Sequence, residues 1–360
     1  MTRTVLWWGR FDPYYARNQL LMRLFGELGW QVAAFRPLVS RFGDWEAHLT
    51  SVPRPDLIWV PAFRQRDLAA ALTWAGRVNL PVVADPLISA YDKAVGERHK
   101  YPPQSRAAER LRCWEGRLLS ACTAVVADTE AHAAYFSETL GVPREKLYVI
   151  VIGADQQRFT PQPLPTANAD PPEALFYGSF IALQRPETIV AAAAHYQGPP
   201  ARWTLLGDGP LKATCTALAQ RTALPAQLTL TFAPSLPYDQ IARRAAQAHA
   251  ILGIFGASAK AGRVIPNKVA QGLALGRPVI TRMSLAYPEA LRATPSHESG
   301  IVWVPPESPA ALAAALARLW AEPAQLAILA TQAAQTFARY LSESVVKAQL
   351  TELLDRLFAP

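Results

Sequence analysis

Short apolar runs alternate with longer amphipathic, alanine-rich stretches along most of the chain. In the first half, six runs rich in β-branched and aromatic residues predict strands over 4–8, 31–35, 56–61, 81–85, 123–128 and 148–153, with helices over 14–28, 66–78, 104–121 and 130–141 between them. Several runs are apolar throughout, which is typical of strands covered by helices on both faces. The alternation therefore predicts βαβ units and a parallel sheet.

The same alternation restarts after a break. Residues 159–173 are rich in proline and predict a linker, because proline at that density favours neither helix nor strand. Six more strand-like runs follow, ALFYGSF, WTLLGDG, LTLTFAP, AILGIFG, PVITR and IVWVP, and the stretch from about 308 to 358 predicts two or three helices. We expect two doubly wound, Rossmann-like domains, 1–158 and 174–340, that face each other across a cleft and bind two substrates.

Composition places the protein among globular, cytoplasmic chains. Of the 360 residues, 51% are hydrophobic and 18% charged, and no apolar run approaches the roughly 20 residues of a membrane span. The N-terminal residues predict a first strand rather than a signal peptide. The three cysteines, Cys113, Cys122 and Cys215, have no metal-type spacing, and their odd number argues against a disulfide framework. Cys113 and Cys122 are expected to be buried.

The net charge of +8 narrows the class of partner. No basic run resembles a nucleic-acid-binding arm, so nucleic acid is not expected. A solvated basic face and peripheral contact with an anionic membrane, at its inner face, remain as alternatives. The six histidines are dispersed, so neither a metal site nor a Ser/His/Asp arrangement is expected.

Two loops of the second half have the composition of anion sites. Gly178 and Ser179 end one strand, and Gly207, Asp208 and Gly209 end the next, directly before a helix. Glycines at such a position let backbone amides approach an anion at the helix start. A tight turn without a ligand is the alternative.

The segment 253–282 predicts a strand, a loop, a helix that begins near Pro266, and a further strand. Asn267 and Lys268 stand at the helix start, where a fixed positive charge and the helix dipole would hold a diphosphate. In the alternative interpretation, Lys268 and Arg263 are ordinary solvent-facing cations.

The first half supplies hydrogen-bond donors and aromatic faces after its first strand, namely Gly9, Arg10, Tyr14, Tyr15, Arg17 and Asn18. The loop after the fourth strand places Asp85, Ser89, Asp92 and Lys93 at the matching rim. Ser89 equally suits a helix cap, and Asp92 with Lys93 a solvated pair. Asp128 or Thr129 is expected to cap the helix that follows the fifth strand.

Read in order, these motifs resemble the family 4 glycosyltransferases, a retaining group with the two-domain GT-B fold. The passages that carry the resemblance are VVADTEAHAAYFSETLGVPREKLYVIVIGADQQRFTP, ALFYGSFIALQRPETIVAAA, WTLLGDGP and RVIPNKVAQGLALGRPVIT. The resemblance covers most of the chain. It also implies that 341–360 forms a helix packing back on the first domain.

The resemblance and the positions of the loops together assign roles to individual residues. Donor binding falls to Gly9, Arg10, Gly178, Ser179, Gly207, Asp208, Gly209, Arg263, Pro266, Asn267 and Gln271; catalysis to Lys268, Arg185, Asp85 and Asp92; and the acceptor side to Tyr14, Tyr15, Arg17, Asn18 and Ser89. No metal or other cofactor is implied.

The chain departs from the family pattern at its charged positions. The usual pair of glutamates is replaced by Arg263 and Gln271, of which Gln271 still offers an amide oxygen to ribose hydroxyls. The usual arginine and lysine after the first donor-domain strand are replaced by Ser179 and, depending on the alignment, by Gln184 or Arg185.

The expected function is transfer of a sugar from a nucleotide diphosphate sugar to an acceptor hydroxyl, with retention. The acceptor is a glycan, a lipid-linked molecule or a small molecule. Two alternatives remain open: a non-catalytic transferase-like subunit, suggested by the missing glutamate pair, and a nucleotide-sugar 2-epimerase, which needs no acceptor.

Overall fold

The computed structural model describes residues 2–50, 52–165 and 171–359, and the chain divides into two compact units. The first unit holds the chain up to Val151 and takes it up again at Val346; the second runs from Ile152 to Val345. The expected boundaries at 158 and 341 fall inside the second unit, since apolar periodicity locates elements and not the contacts that divide a chain. Residues 166–170 of the expected linker lie outside the described residues.

The first unit is built on a parallel sheet in which every predicted strand is present. Its strands are β1 (Thr4–Trp8), β2 (Gln31–Phe35), β3 (Leu57–Val60), β4 (Val82–Ala84), β5 (Ala124–Ala127) and β6 (Leu147–Val149), in the order β2-β1-β3-β4-β5-β6. All neighbouring strands pair in parallel. The predicted strands are therefore confirmed.

Helices cover both faces of this sheet. They are α1 (Ala16–Glu27), α2 (Gly43–Leu49), α3 (Leu68–Val78), α4 (Arg106–Ala121), α5 (Glu130–Glu138) and, from the end of the chain, α14 (Glu343–Phe358), with a short π-helix at Asp92–Glu97. Val5 and Trp7 of β1 share an apolar cluster with α1 and α14, whereas Leu6 and Trp8 share one with α3. Alternate residues of one strand thus enter two separate cores, as a doubly wound sheet requires.

The second unit repeats this plan. Its strands are β7 (Glu173–Gly178), β8 (Ala201–Gly207), β9 (Leu228–Ala233), β10 (Ala250–Leu252), β11 (Val279–Arg282) and β12 (Ile301–Val304), in the order β12-β11-β10-β7-β8-β9. Its helices are α6 (Glu187–Ala193), α7 (Lys212–Arg221), α8 (Tyr238–Ala246), α9 (Asn267–Ala274), α10 (Glu289–Ala293), α11 (Ser296–Ser299), α12 (Pro309–Ala321) and α13 (Pro323–Tyr340). Together with α14, the last two form the helical stretch expected after residue 308.

Local details refine the sequence predictions. Cys122 and Cys215 are buried, but Cys113 is exposed on α4, so the expectation of a buried Cys113 is wrong. Its thiol donates to the Glu109 carboxylate (3.1 Å) on the polar face of the helix.

Thr129, not Asp128, caps α5, because its hydroxyl accepts the backbone N–H of His132 (3.1 Å).

Among the described residues no single helix is long and apolar enough to cross a membrane. Two consecutive segments, Pro309–Ala321 and Pro323–Phe358, are together long and apolar enough to span a membrane. The chain bends by 106° between them.

Candidate active site

Two glycine turns lie against each other at the carboxyl ends of β7 and β8. Gly178 pairs in register with Gly207, and the φ angles of Gly207 and Gly209 are +131° and +147°. A Cβ at Gly207 would collide with the Gly178 carbonyl oxygen, and one at Gly209 with that of Ser179. Glycine is therefore required at positions 207 and 209, because the two turns approach each other too closely for a side chain. The side chains of Ser179 and Asp208 are exposed at this edge.

Lys268 lies beside these turns, on the second residue of α9. Its side chain is buried, and its Nζ has no hydrogen-bond partner among the described residues. The Nζ atom lies 3.7 Å from the ring centroid of Phe176, and a Cβ at Gly178 would approach it to 2.9 Å. Burial lowers the pKa of this amine well below its ordinary value. Lys268 is thus not a solvent-facing cation.

An unpaired buried ammonium is costly, and such groups concentrate at functional sites. The Phe176 ring offers Lys268 only a partial substitute for water through its π face. An anion that entered beside Gly178 would favour the charged form of the amine.

The start of α9 completes this edge. Pro266 is the N-cap rather than the first helical residue, and Asn267 begins the helix. The N-cap makes no side-chain hydrogen bond to the helix start, where an α-helix leaves its first backbone N–H groups without partners, and Lys268 lies in this first turn. Arg263 is half-buried, and its backbone N–H donates to the Lys260 carbonyl (3.0 Å).

Gln271, one turn further along α9, has an occupied amide oxygen. Its Oε1 accepts a hydrogen bond from the Tyr177 hydroxyl (3.0 Å), and both residues are buried. Tyr177 carried no signal in the sequence beyond its place in an apolar strand. Gln271 therefore has a structural bond in addition to the ribose contact that the resemblance implies.

The structure separates the two candidates for the missing lysine. Gln184 lies beside Gly178, where a Cβ would come within 2.8 Å of its amide atoms. The Arg185 side chain is 42% exposed and forms ion pairs with Glu187 (3.6 Å) and Glu307 (3.3 Å). Gln184 is therefore the neighbour of Lys268, and Arg185 is held between two carboxylates that the sequence did not single out.

Lys212 is a further cation that the sequence analysis missed. Its ammonium donates to the carbonyl oxygens of Gly207 and Ala233 (3.0 Å for the latter), at the ends of β8 and β9. It fixes the backbone on which the glycine turns depend. Its only signal in the sequence was its place at the start of the helix that follows the Gly-Asp-Gly turn.

In the first unit, Gly9 follows β1 with a φ of +127° and donates its N–H to the Phe35 carbonyl (3.0 Å). A Cβ there would approach the Asp67 carboxylate to 3.1 Å. Asp67 is a buried residue that the sequence did not single out, and it accepts from Arg64 Nε (2.6 Å). Arg10, the next residue, is exposed.

Arg17 and Asp85 occupy a structural position instead of the expected rim. Both are buried, and Arg17 Nε donates to Asp85 Oδ2 at 2.8 Å. The guanidinium also donates to the carbonyls of Ile150 (3.1 Å) and Val151 (3.2 Å). Burial raises the pKa of Asp85. The pair ties α1 to two strand ends, and both side chains are buried instead of lying at an exposed rim.

Ser89 caps a turn, which was its alternative role. Its hydroxyl accepts the Asp92 N–H (3.1 Å) and donates to Glu115 (2.7 Å), so its only donor is engaged, and the side chain is buried. Asp92 begins the π-helix and is buried. Glu115, missed by the sequence analysis, also accepts the N–H groups of Ala90 and Tyr91, and burial raises its pKa despite these bonds.

The remaining acceptor-side residues differ in exposure. Tyr14 is 78% exposed, and Tyr15 packs edge-on against Phe63 with ring centroids 5.2 Å apart. Asn18 is buried and donates to the Asp12 carbonyl (2.8 Å). Of this set, Tyr14 and Tyr15 retain surface that a ligand reaches. Within the described ranges no group of three or more His, Cys, Asp or Glu side chains is arranged to hold a metal ion.

Solved structures share this architecture over the whole chain. The Anabaena protein HepE, solved with UDP and glucose, is 14% identical with a TM-score of 0.71, and the match covers 99% of this chain and 100% of that chain. Sucrose-phosphate synthase from Thermosynechococcus elongatus is 18% identical with a TM-score of 0.75 and complete coverage of both chains. The lipopolysaccharide outer core galactosyltransferase WaaB, in its apo form, is 12% identical with a TM-score of 0.67, covering 99% of this chain and 100% of that one.

The two parallel sheets with flanking helices and these structural likenesses define the two-domain Rossmann-like GT-B fold. Two family models match the sequence: a glycosyl transferase 4-like domain over residues 10–153 and glycosyl transferases group 1 over residues 171–322. Both models describe glycosyltransferase domains and together match most of the chain, which places it among the glycosyltransferases. A search of the curated proteins finds no match to it.

Proposed function

We propose that the protein transfers a sugar, with retention of anomeric configuration, from a nucleoside diphosphate sugar to an acceptor hydroxyl. The observation that carries this proposal is the buried, unpartnered Lys268 amine beside Gly178 and the start of α9. The presence of UDP in the HepE structures supports a nucleoside diphosphate as the leaving group here.

In the proposed reaction, the bond between the anomeric carbon and the β-phosphate oxygen breaks while the acceptor oxygen bonds to that carbon. The acceptor hydroxyl loses its proton to solvent, and the nucleoside diphosphate departs with an additional negative charge. Lys268 and the backbone donors of α9 would stabilise that charge in a site from which water is largely excluded. The proposal places the diphosphate beside Lys268, at the edge where the Gly178 and Gly207 turns meet.

The test is a panel of uridine, guanosine and adenosine diphosphate sugars, assayed for released nucleoside diphosphate with the anomeric product followed by NMR. We expect one donor to bind and to be hydrolysed slowly without acceptor, giving a product of the same anomeric configuration as the donor. Product of inverted configuration would contradict retention.

The same assay separates the two alternatives. Nucleotide-sugar binding without turnover, for every acceptor tried, would identify a non-catalytic subunit, which the engagement of Gln271 by Tyr177 favours. Conversion of the donor to its C2 epimer without release of nucleoside diphosphate would identify an epimerase.

We also propose peripheral contact with an anionic membrane through residues 36–49 of the first unit. Four large apolar side chains of this segment are between 54% and 81% exposed, namely Leu38, Phe42, Trp45 and Leu49. Arg36 and Arg41 are exposed beside them. The acidic groups are engaged internally, since Asp44 pairs with Arg77 (3.3 Å) and Glu46 accepts the Leu38 N–H (2.8 Å). Apolar and cationic groups together suit an anionic lipid surface.

Vesicle co-sedimentation tests this contact. Wild-type protein is expected to bind vesicles that contain phosphatidylglycerol, and a Leu38→Ser/Trp45→Ser variant to bind about tenfold more weakly. The matched control, Leu224→Ser/Ile328→Ser, removes two exposed apolar side chains from the second unit and should bind as the wild type does. Equal binding of both variants would contradict the contact.

A further inference from the structure

A cavity of about 540 Å³ opens at the carboxyl edge of the first sheet. Its walls are formed by the loops after β3 and β4 and by α4. The lining divides into a cationic set, Arg66, Lys93, Arg98, Lys100 and Arg110, and an apolar set, mainly Phe63, Ile88, Tyr101, Leu111 and Trp114. In open α/β sheets this edge is where ligands bind.

The cationic set has no carboxylate among the residues that line the cavity. Within the described residues, no ion pair engages Arg66, Arg98, Lys100 or Arg110. Their neighbours differ: Arg64 pairs with Asp67, and Arg112 pairs with Glu109 at 2.6 Å. Several cations around one cavity produce a positive potential inside it. A guanidinium group can also donate two parallel hydrogen bonds to two oxygens of one phosphate.

The apolar set lies between the cations rather than apart from them. Trp114 and Leu111 of α4 are half-buried, as is Ile88 of the loop after β4. The Lys93 ammonium lies 5.7 Å from the Phe63 ring centroid, and that of Lys100 lies 5.3 Å from the Tyr101 ring centroid. A lining of this mixed kind suits a ligand with an anionic group next to an apolar portion.

We propose that this cavity binds the acceptor through a phosphate group joined to an apolar chain, which makes the acceptor a phosphorylated amphiphile. This inference rests on the proposed transfer function and specifies its acceptor class. The phosphate contacts the cationic set and the chain contacts Leu111 and Trp114. Of the three acceptor types compatible with the sequence, the cavity selects the lipid-linked one.

Calorimetry on the full chain tests the inference with three probes: octyl phosphate, inorganic phosphate and octyl glucoside. Octyl phosphate is expected to bind at least about tenfold more tightly than either of the others, because it alone satisfies both sets. Its affinity should fall as salt rises, as expected for exposed charges. Equal affinity for octyl phosphate and inorganic phosphate would show that the cavity does not bind the apolar chain. Equal affinity for octyl phosphate and octyl glucoside would show that it does not bind the phosphate. Either result would overturn the inference.

Two variants on different segments locate the binding. Arg98→Ser/Lys100→Ser and Arg66→Ser/Arg110→Ser should each weaken octyl phosphate by about 10- to 100-fold. The control Arg221→Ser/Arg318→Ser removes the same charge from exposed positions of the second unit and should leave the affinity unchanged. Equal losses in all three variants would show a net-charge effect and would overturn the site.

The same preparations are assayed for donor hydrolysis, which depends on the second unit. Wild-type protein that releases nucleoside diphosphate but fails to bind octyl phosphate overturns the acceptor inference alone. Protein that binds octyl phosphate but turns over no nucleotide sugar overturns the transfer function and, with it, the assignment of the bound amphiphile as an acceptor.

Discussion

Replacing Lys268 by Ala is expected to lower the rate of nucleoside diphosphate release by about 10²- to 10³-fold, the usual effect of removing one donor aimed at developing negative charge. The amine is buried and has no hydrogen-bond partner among the described residues, so it has no structural bond to lose. Steady-state release of nucleoside diphosphate with the best donor of the panel measures the effect.

Lys268→Met separates catalysis from stability. Methionine keeps an apolar stem against Phe176 but removes the charge, so this variant should be as inactive as Lys268→Ala yet more stable than wild type. The folded pKa of Lys268 lies below the ordinary value, so protonation favours the unfolded state. The stability gap should therefore be widest at low pH and should narrow as pH rises from the folded pKa toward that ordinary value. Unchanged turnover in Lys268→Met would remove the residue from the mechanism.

Gly209→Ala should abolish nucleotide binding. The new methyl group would collide with the Ser179 carbonyl oxygen, at a φ of +147° that an alanine rarely adopts. Relief requires the turn after β7 to move, and that turn borders Lys268. We expect saturation with nucleoside diphosphate to be lost in calorimetry, with a stability decrease of about 1–3 kcal/mol.

The matched control for this variant is Gly26→Ala in α1. No atom lies within 4 Å of a Cβ at Gly26, so the substitution should raise stability by about 0.5–1 kcal/mol. Nucleotide affinity should be unchanged. A Gly209→Ala protein that binds nucleotide as tightly as Gly26→Ala would show that the two glycine turns do not form the diphosphate site.

The sequence allowed the sheets to be predicted more fully than the short elements. Buried parallel strands such as β3 and β5 consist of uninterrupted apolar residues, which the pattern of the chain exposes directly. Helix α2 and the π-helix Asp92–Glu97 are short, and their conformations depend on contacts with the loops that surround them. Periodicity over so few residues carries little information.

The polar contacts of the site were less accessible to prediction. Arg17 and Asp85 are 68 positions apart, and only the fold brings them together. The same holds for Ser89 and Glu115, and for Tyr177 and Gln271. An apolar residue is predictably buried, whereas a polar one takes either a structural or a functional role according to which loops meet. The glycine turns and the position of Lys268 at a helix start could be read from the sequence, because both are features of a few consecutive residues.

Helix α14 affects when the first unit can complete its folding during synthesis. Its residues Val346, Leu350 and Leu353 belong to the same apolar cluster as β1, although the whole second unit lies between them in the chain. The first unit is therefore synthesised first but cannot finish packing until the last segment has left the ribosome. Until then one face of its sheet stays uncovered, and a nascent chain stalled within the second unit would offer that face to chaperones.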